Sequence, residues 1–248
     1  MSTKSVTKSL TKNVEGFLSS KEGCLLFDLA KRVEGRGVIV EIGSWKGKSS
    51  IWLGNGSREG KNINVYAAYH FSGSPEHRKD VGGVWTFDEF KANIHKAGVG
   101  NIVVPIVKTS EGAARDFNHP IELLFIDGAH DYHSVKSDYN LWEKKVVDEG
   151  VIGFHDSEFE GVRTFLQELI NENPNLKFVD FGGSIACVQK TDRISKIGFL
   201  TNRQLAKVIM FRGKVAERRK SSRAVAKPLY NFVRNMAKVY RLLLTIVN

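Results

Sequence analysis

Cysteine is nearly missing from this chain: among 248 residues it occurs only at Cys24 and Cys187, in neither a CxxC pair nor a metal-ligand spacing. That excludes a disulfide framework and a zinc knuckle, and points to a reducing compartment. Long apolar runs are missing too. The opening MSTKSVTKSLTKNVEGF holds no apolar stretch of signal-peptide length, and no run reaches the roughly 18 residues that a membrane span needs. The expectation is a cytoplasmic protein that does not cross a bilayer. Neither an internal repeat nor a low-complexity block is present. Acidic residues are scarce in one region only. From Thr191 to Asn248 there are 14 Lys and Arg against Asp192 and Glu217, whereas residues 1–190 carry 23 basic and 25 acidic side chains. The net charge of +10 therefore belongs to the tail.

What is there is an alternation of short apolar runs and helical patterns. Strands are expected at Val38–Val40, running into Glu41–Gly43, then at Val65–Ala68, Ile102–Val107, Ile121–Ile126 and Val151–Phe154. A closing antiparallel pair is expected at Phe178–Phe181 and Ile185–Val188, around Gly182 and Gly183. Helical spacing covers Leu25–Val33, Ser49–Leu53, Phe87–Ala97, Val135–Val146 and Phe165–Ile170, with Thr86 and Glu89 at the spacing of a capping box. The predicted fold is α/β, a doubly wound, mostly parallel sheet with an antiparallel C-terminal hairpin. It divides the chain into a polar lead-in (1–22), one α/β domain (23–190) and a basic helical extension (191–248).

Two strands end in an acid. LLFID ends in Asp127 with His130 three residues on, and VIGFHD ends in His155 and Asp156. Ligands of parallel sheets bind outside the carboxyl ends of the strands, so both carboxylates should share one mouth. The plainer reading is helix capping and loop hydrogen bonding. The turn VEIGSWKGKSS after the first strand lets a ligand approach backbone, yet Gly43 and Gly47 are four apart and the GxxxxGK[ST] spacing of a Walker loop is absent.

Taken together, VEIGSWKGKSS, HFSGSPEHR and LLFIDGAHDYHSVKSDYNLWEKKVVDEGVIGFHD resemble the class I S-adenosylmethionine-dependent methyltransferases, in particular small O-methyltransferases related to macrocin-type and catechol-type enzymes, over residues 23–190. The resemblance implies a Rossmann-like sheet and a methionine pocket at Glu41, Gly43, Ser44, Trp45 and Ser49, with Tyr69, His70, Ser110 and Asp127 along the rest of the cofactor. Glu41 organises the loop or meets the cofactor's ammonium rather than acting as a base; its plainer reading is a buried structural carboxylate. The resemblance also implies a divalent ion, magnesium by preference, held by Asp127, Asp156 and Ser157, with His130 as the base. His155 is an alternative nitrogen ligand that would suit zinc, iron or manganese better. Two departures stand out. Relatives end the second strand in an acid that holds the ribose, where this chain has Tyr69; they carry Asp-Ser near the adenine, where it has Thr109-Ser110. His70, His77 and Arg78 are loop residues that either contact ligands or are solvated. Trp85 and Phe87 form an acceptor wall or simply pack, His133 reads as surface and Trp142 as core.

In the tail, Pro228, Leu229, Phe232, Val233, Met236, Val239, Tyr240 and Leu243 share one helical face, with Arg234, Lys238 and Arg241 opposite. Such a helix docks on an anionic membrane surface, on its own domain, or on a second subunit of a homo-oligomer. Nucleic-acid binding has only charge behind it. The expected activity is metal-assisted O-methylation of a sugar, glycan or polyol-bearing small molecule. The alternatives are a methyltransferase-fold scaffold with impaired cofactor use and an RNA methyltransferase using the basic tail.

Overall fold

A computed structural model of the chain describes residues 1–72, 85–192 and Gln204. The tail helix, His77 and Arg78 lie outside the described residues. Seven strands form one sheet: β1 (Val38–Ile42), β2 (Val65–Ala68), β3 (Val103–Ile106), β4 (Ile121–Ile126), β5 (Val146–Phe154), β6 (Leu176–Gly182) and β7 (Ile185–Lys190). Their order is β3-β2-β1-β4-β5-β7-β6, parallel except for β7, which runs antiparallel to β5 and β6. The chain reverses its winding between β1 and β4, so the crevice of a doubly wound sheet opens there.

Period-2 alternation sends successive side chains to opposite faces. Val40, Ile42, Leu124 and Ile126 meet Trp142, Phe154 and Phe165 on one face. On the other, Ile39, Leu123 and Phe125 meet Leu26, Ile51, Trp52 and Phe90. All six β4 residues are buried, as befits a central parallel strand. The first face is covered by α5 (Ser110–Asp116), α6 (Tyr132–Trp142) and α7 (Glu160–Glu172); the second carries α1 (Thr3–Thr11), α2 (Ser20–Lys31), α3 (Lys48–Glu59) and α4 (Phe87–Lys96).

Two helix starts differ from expectation. Thr86 is the N-cap residue of α4, but its backbone (φ −105°, ψ 4°) is not extended and its hydroxyl donates to the Phe71 carbonyl, so no capping box forms with Glu89. The box forms instead at Ser19 and Glu22, ahead of α2: Glu22 accepts from the Ser19 N–H at 2.7 Å while Ser19 Oγ accepts from the Glu22 N–H. Helix α5 was not expected. Thr109 caps it by accepting from the Gly112 N–H at 3.2 Å.

Candidate active site

Backbone hydrogen bonds level the strand ends. Gly43 N donates to Ala68 O, Asp127 N to Ile42 O and His155 N to Ile126 O, at 2.8 to 3.0 Å. The residues leaving β1, β4 and β5 thus share one mouth, as two acid-terminated strands required. Above it lies a cavity of about 810 Å³, reached by Gly43, Trp45, Tyr69, Asp127, His130 and Asp156 among others.

The β1–α3 turn holds three positive φ angles, at Gly43 (+89°), Trp45 (+43°) and Gly47 (+85°). At Gly43 a Cβ would sit 1.9 Å from the Asp127 carbonyl oxygen, so only glycine lets the two turns touch. Gly47 precedes α3 without a side-chain cap, and Lys48 and Ser49 of its first turn line the cavity. Such a terminus suits a carboxylate. Ser44 and Ser49 line the cavity and are buried. Glu41 does not reach the wall. It is fully buried under the turn, takes the Ser50 hydroxyl and is pushed up to about 7 by burial, which the Ser49, Ser50 and Ser44 hydroxyls only partly offset. Its Oε1 has no hydrogen-bond partner. Beneath the turn and away from the wall, it stands as a buried carboxylate bonded to a hydroxyl of α3.

Tyr69 stacks on His70 (4.7 Å, 29°) and meets Phe71 edge-on, and both Tyr69 and His70 line the cavity. His70 Nδ1 accepts the Ser72 N–H at 3.1 Å, which puts the ring proton on Nε2. Ser110 lines the wall and accepts from Trp142 Nε1 at 3.0 Å, so Trp142 is core, fully buried, and fixes a site residue. His133 is exposed, as expected. Trp85 and Phe87 pack edge-on against each other and do not line this cavity.

At the acidic end His130 Nε2 lies 2.9 Å from Asp156 Oδ2, and its ring stacks on Phe159 (4.9 Å, 26°). His155 Nδ1 lies 2.8 Å from Asp127 Oδ1 and 3.2 Å from Asp156 Oδ2, while its Nε2 is 3.9 Å from Glu22 Oε2. Burial would lower the His155 pKa, but the Asp127, Asp156 and Glu22 carboxylates hold it well above the ordinary value. The same imidazoles overcome burial at Asp156 and keep its pKa well below the usual carboxylate range. Asp127 remains raised, because burial exceeds what His155 returns.

One ligand atom each from Asp127, His130 and Asp156 falls within 4.8 Å of the others. Ser157 is not among them. It is buried, its hydroxyl donates to the Ser184 carbonyl at 2.6 Å, and it is absent from the cavity wall. The expected oxygen shell is thereby one ligand short, and the two acids already share the His155 nitrogen. For magnesium, which completes an octahedral oxygen shell with waters, two carboxylates already in contact with the His155 nitrogen and without a third ligand from Ser157 are a poor fit.

Residues that pattern reading missed also reach the cavity. Glu15–Leu18, between α1 and α2, lie on its wall, tied down by Lys48 Nζ donating to the Gly16 carbonyl at 3.1 Å. Lys108 is a further wall residue. No motif marks any of these, since only tertiary packing brings them there.

The fold and the turn define a Rossmann-like methyltransferase architecture, and comparison with known proteins agrees. Residues 40–157, just under half the chain, match the family described as a methyltransferase domain. Among solved structures, the O-methyltransferase NovP superposes with a TM-score of 0.59 at 17% identity, covering 70% of this chain and 81% of NovP. An O-methyltransferase from Bacillus cereus, in complex with SAH, gives 0.55 at 19% identity, covering 77% and 91%. TomG from Streptomyces achromogenes, in complex with SAM, gives 0.56 at 15%, covering 77% and 90%. At these identities the likeness is one of fold. A curated relative, the uncharacterized protein y4gI of Sinorhizobium fredii, is 39% identical over 62 residues, which are 23% of this chain and 7% of that protein.

Proposed function

We propose that this chain transfers a methyl group from S-adenosylmethionine to a hydroxyl oxygen of a small molecule. The observation that carries this reading is one cavity joining the glycine turn and uncapped α3 N-terminus to the His130–Asp156 pair. The cofactor supplies an electrophilic methyl group, whose carbon–sulfur bond breaks as the new carbon–oxygen bond forms. The chain's own residues do the rest. The α3 N–H groups and the Ser44 and Ser49 hydroxyls receive the amino-acid end of the cofactor. Tyr69 and the His70 Nε2–H meet the ribose as hydroxyl and imidazole groups in place of a carboxylate.

Asp156 stays ionised, so His130 donates its Nε2–H to it and keeps the Nδ1 lone pair for the acceptor's proton. Stacking on Phe159 restrains the ring. As the methyl group leaves for the oxygen, the hydroxyl proton passes to His130 Nδ1 and from there to solvent, for His130 is partly exposed. The acceptor we assign is a hydroxyl of a sugar, glycan or polyol-bearing compound; Phe17, Trp45 and Phe159 on the wall suit the apolar face of a ring. Among the described residues no helix is long and apolar enough to cross a membrane. The attraction of the tail to an anionic membrane surface rests on its sequence pattern alone.

A second reading has one observation in its favour: Tyr69 stands where a ribose-binding acid is expected, as in a scaffold that has lost efficient cofactor use. Calorimetric titration of the full chain with S-adenosylmethionine and S-adenosylhomocysteine separates the two. Micromolar binding that Gly43→Ala weakens at least tenfold is the expected result. No binding of either compound up to millimolar concentration would favour the scaffold.

A further inference from the structure

We infer that His155 is a positioning residue standing where metal-assisted relatives would carry a divalent ion: it bridges Asp127 and Asp156, aims Asp156 at His130, and leaves the acidic mouth unable to take magnesium or manganese. The inference rests on the methyl-transfer reading for the role of His130, but the geometry behind it is independent of that reading.

The ring is only 3% exposed and is fixed on every side. Its backbone N–H is bonded to the Ile126 carbonyl, and Phe125, fully buried, lies edge-on against it at 6.1 Å. Behind it stands Glu22, which cannot retreat. Its carboxylate accepts from Ser19 N at 2.7 Å, Ser184 N at 2.7 Å and Ser184 Oγ at 2.8 Å, and Gly183 packs so closely that a Cβ there would fall 2.4 Å from Glu22 Cγ. The ring therefore spans a fixed carboxylate on one side and the two site aspartates on the other.

The aspartates are correspondingly occupied. Asp156 Oδ2 faces His130 Nε2 at 2.9 Å and His155 Nδ1 at 3.2 Å, and its Oδ1 lies 3.4 Å from Ser184 Oγ, whose one proton goes to the nearer Glu22. Asp127 Oδ1 faces His155 Nδ1 at 2.8 Å. The third expected ligand, Ser157, is spent on the Ser184 carbonyl. A hard ion needs several oxygens converging at about 2.0–2.1 Å. Here an imidazole nitrogen lies within ion-pair distance of both carboxylates, 2.8 Å from Asp127 and 3.2 Å from Asp156. With Asp156 held from His155, the His130 Nε2–H has a fixed acceptor, which favours the tautomer protonated at Nε2.

The test uses the full chain and manganese as the probe, since the free ion is counted directly by electron paramagnetic resonance, with or without S-adenosylhomocysteine. The wild type is expected to leave the free-manganese signal unchanged up to millimolar ion. Stoichiometric micromolar uptake that Asp127→Asn or Asp156→Asn abolishes would overturn the inference. The positioning role is read separately from the nitrogen-15 shifts of the His130 ring. A single tautomer in the wild type should become mixed in His155→Ala and return in His155→Asn, whose amide nitrogen can replace Nδ1. An unchanged His130 pattern in a folded His155→Ala protein would overturn that part. Failure to bind S-adenosylhomocysteine would count against the methyl-transfer reading alone, because the manganese and tautomer readouts do not depend on it.

Discussion

Two buried glutamates flank the mouth of this sheet and have opposite fates. Glu22, at the β5 side, is held down to about 2: burial works against ionisation, but His155, two groups of Ser184 and the Ser19 N–H outweigh it. Glu41, under the glycine turn, is pushed up to about 7, because three serine hydroxyls do not make up for complete burial and one oxygen is left without a partner. Burial of one side-chain type, complete at Glu41 and less complete at Glu22, has therefore produced a protonatable strut on one side and an ionised one on the other. The depth of burial and the number and charge of the donors decide between them together.

The largest break in this contrast is Glu22→Ala. It strands Ser19 N–H, the Ser184 N–H and hydroxyl, and the inner face of His155 at once. Removing one partner of a buried ionic cluster costs about 3–5 kcal/mol, so chemical denaturation should show a loss of that order. A loss below about 1 kcal/mol would mean that water replaces the carboxylate, and that Glu22 is no strut.

Next in size is the pH dependence of Glu41. Its folded pKa lies above the unfolded value of 4.5, so the folded state binds the extra proton and stability falls as pH rises from about 4.5 to about 7, then levels off. At about 1.4 kcal/mol per unit, the whole shift amounts to roughly 3 kcal/mol. Glu22 has the reverse sign: its contribution is complete above 4.5 and is lost as pH falls toward about 2. Denaturation of Glu41→Gln between pH 5 and pH 8, an interval of about three units around the shift, should show a shallower fall and greater stability than the wild type at the upper end, with the raised pKa values of Asp127, Asp138 and His155 keeping part of the slope. An unchanged slope would move the effect to other groups, Asp127 and Asp138 being the buried acids with raised pKa.

The same contrast shows what could be read from residues in order. Periodicity found the seven strands and the acid-terminated ends, because alternation and strand-end chemistry are local. Glu22 was invisible as a site neighbour: its partners Ser184 and His155 lie more than 130 positions away and meet it only when α2 packs near the β6 end of the sheet. The capping box was placed at Thr86 and occurs at Ser19, because both spans satisfy the same four-residue rule and only the Phe71 carbonyl takes the Thr86 hydroxyl away. Ser157 looked like a ligand by position, and a carbonyl across the hairpin claimed it. Helix α5 is seven residues long, too short for a convincing period, though its Thr109 cap was there to be read.

The smallest expected effect sits at the departure that looked most damaging. Tyr69 replaces an acid, and an acceptor lost from a charged hydrogen bond commonly costs about 1.5–3 kcal/mol. Yet its ring is not an idle remnant: it stacks on His70 and meets Phe71 edge-on, while Ser72 fixes the His70 tautomer so that a second donor stands beside the Tyr69 hydroxyl. Tyr69→Asp would add a carboxylate and at the same time remove the face that positions His70. We therefore expect the affinity for S-adenosylhomocysteine, measured by calorimetry, to change by less than about threefold, under roughly 0.7 kcal/mol. A gain of tenfold or more, about 1.4 kcal/mol, would show a pocket still built for an acid and would return the chain to the scaffold reading. A small change would instead extend to the ribose the rule drawn from Glu22 and Glu41: a position's chemistry is set by the donors and acceptors gathered around it, more than by the residue type that a family pattern leads one to expect.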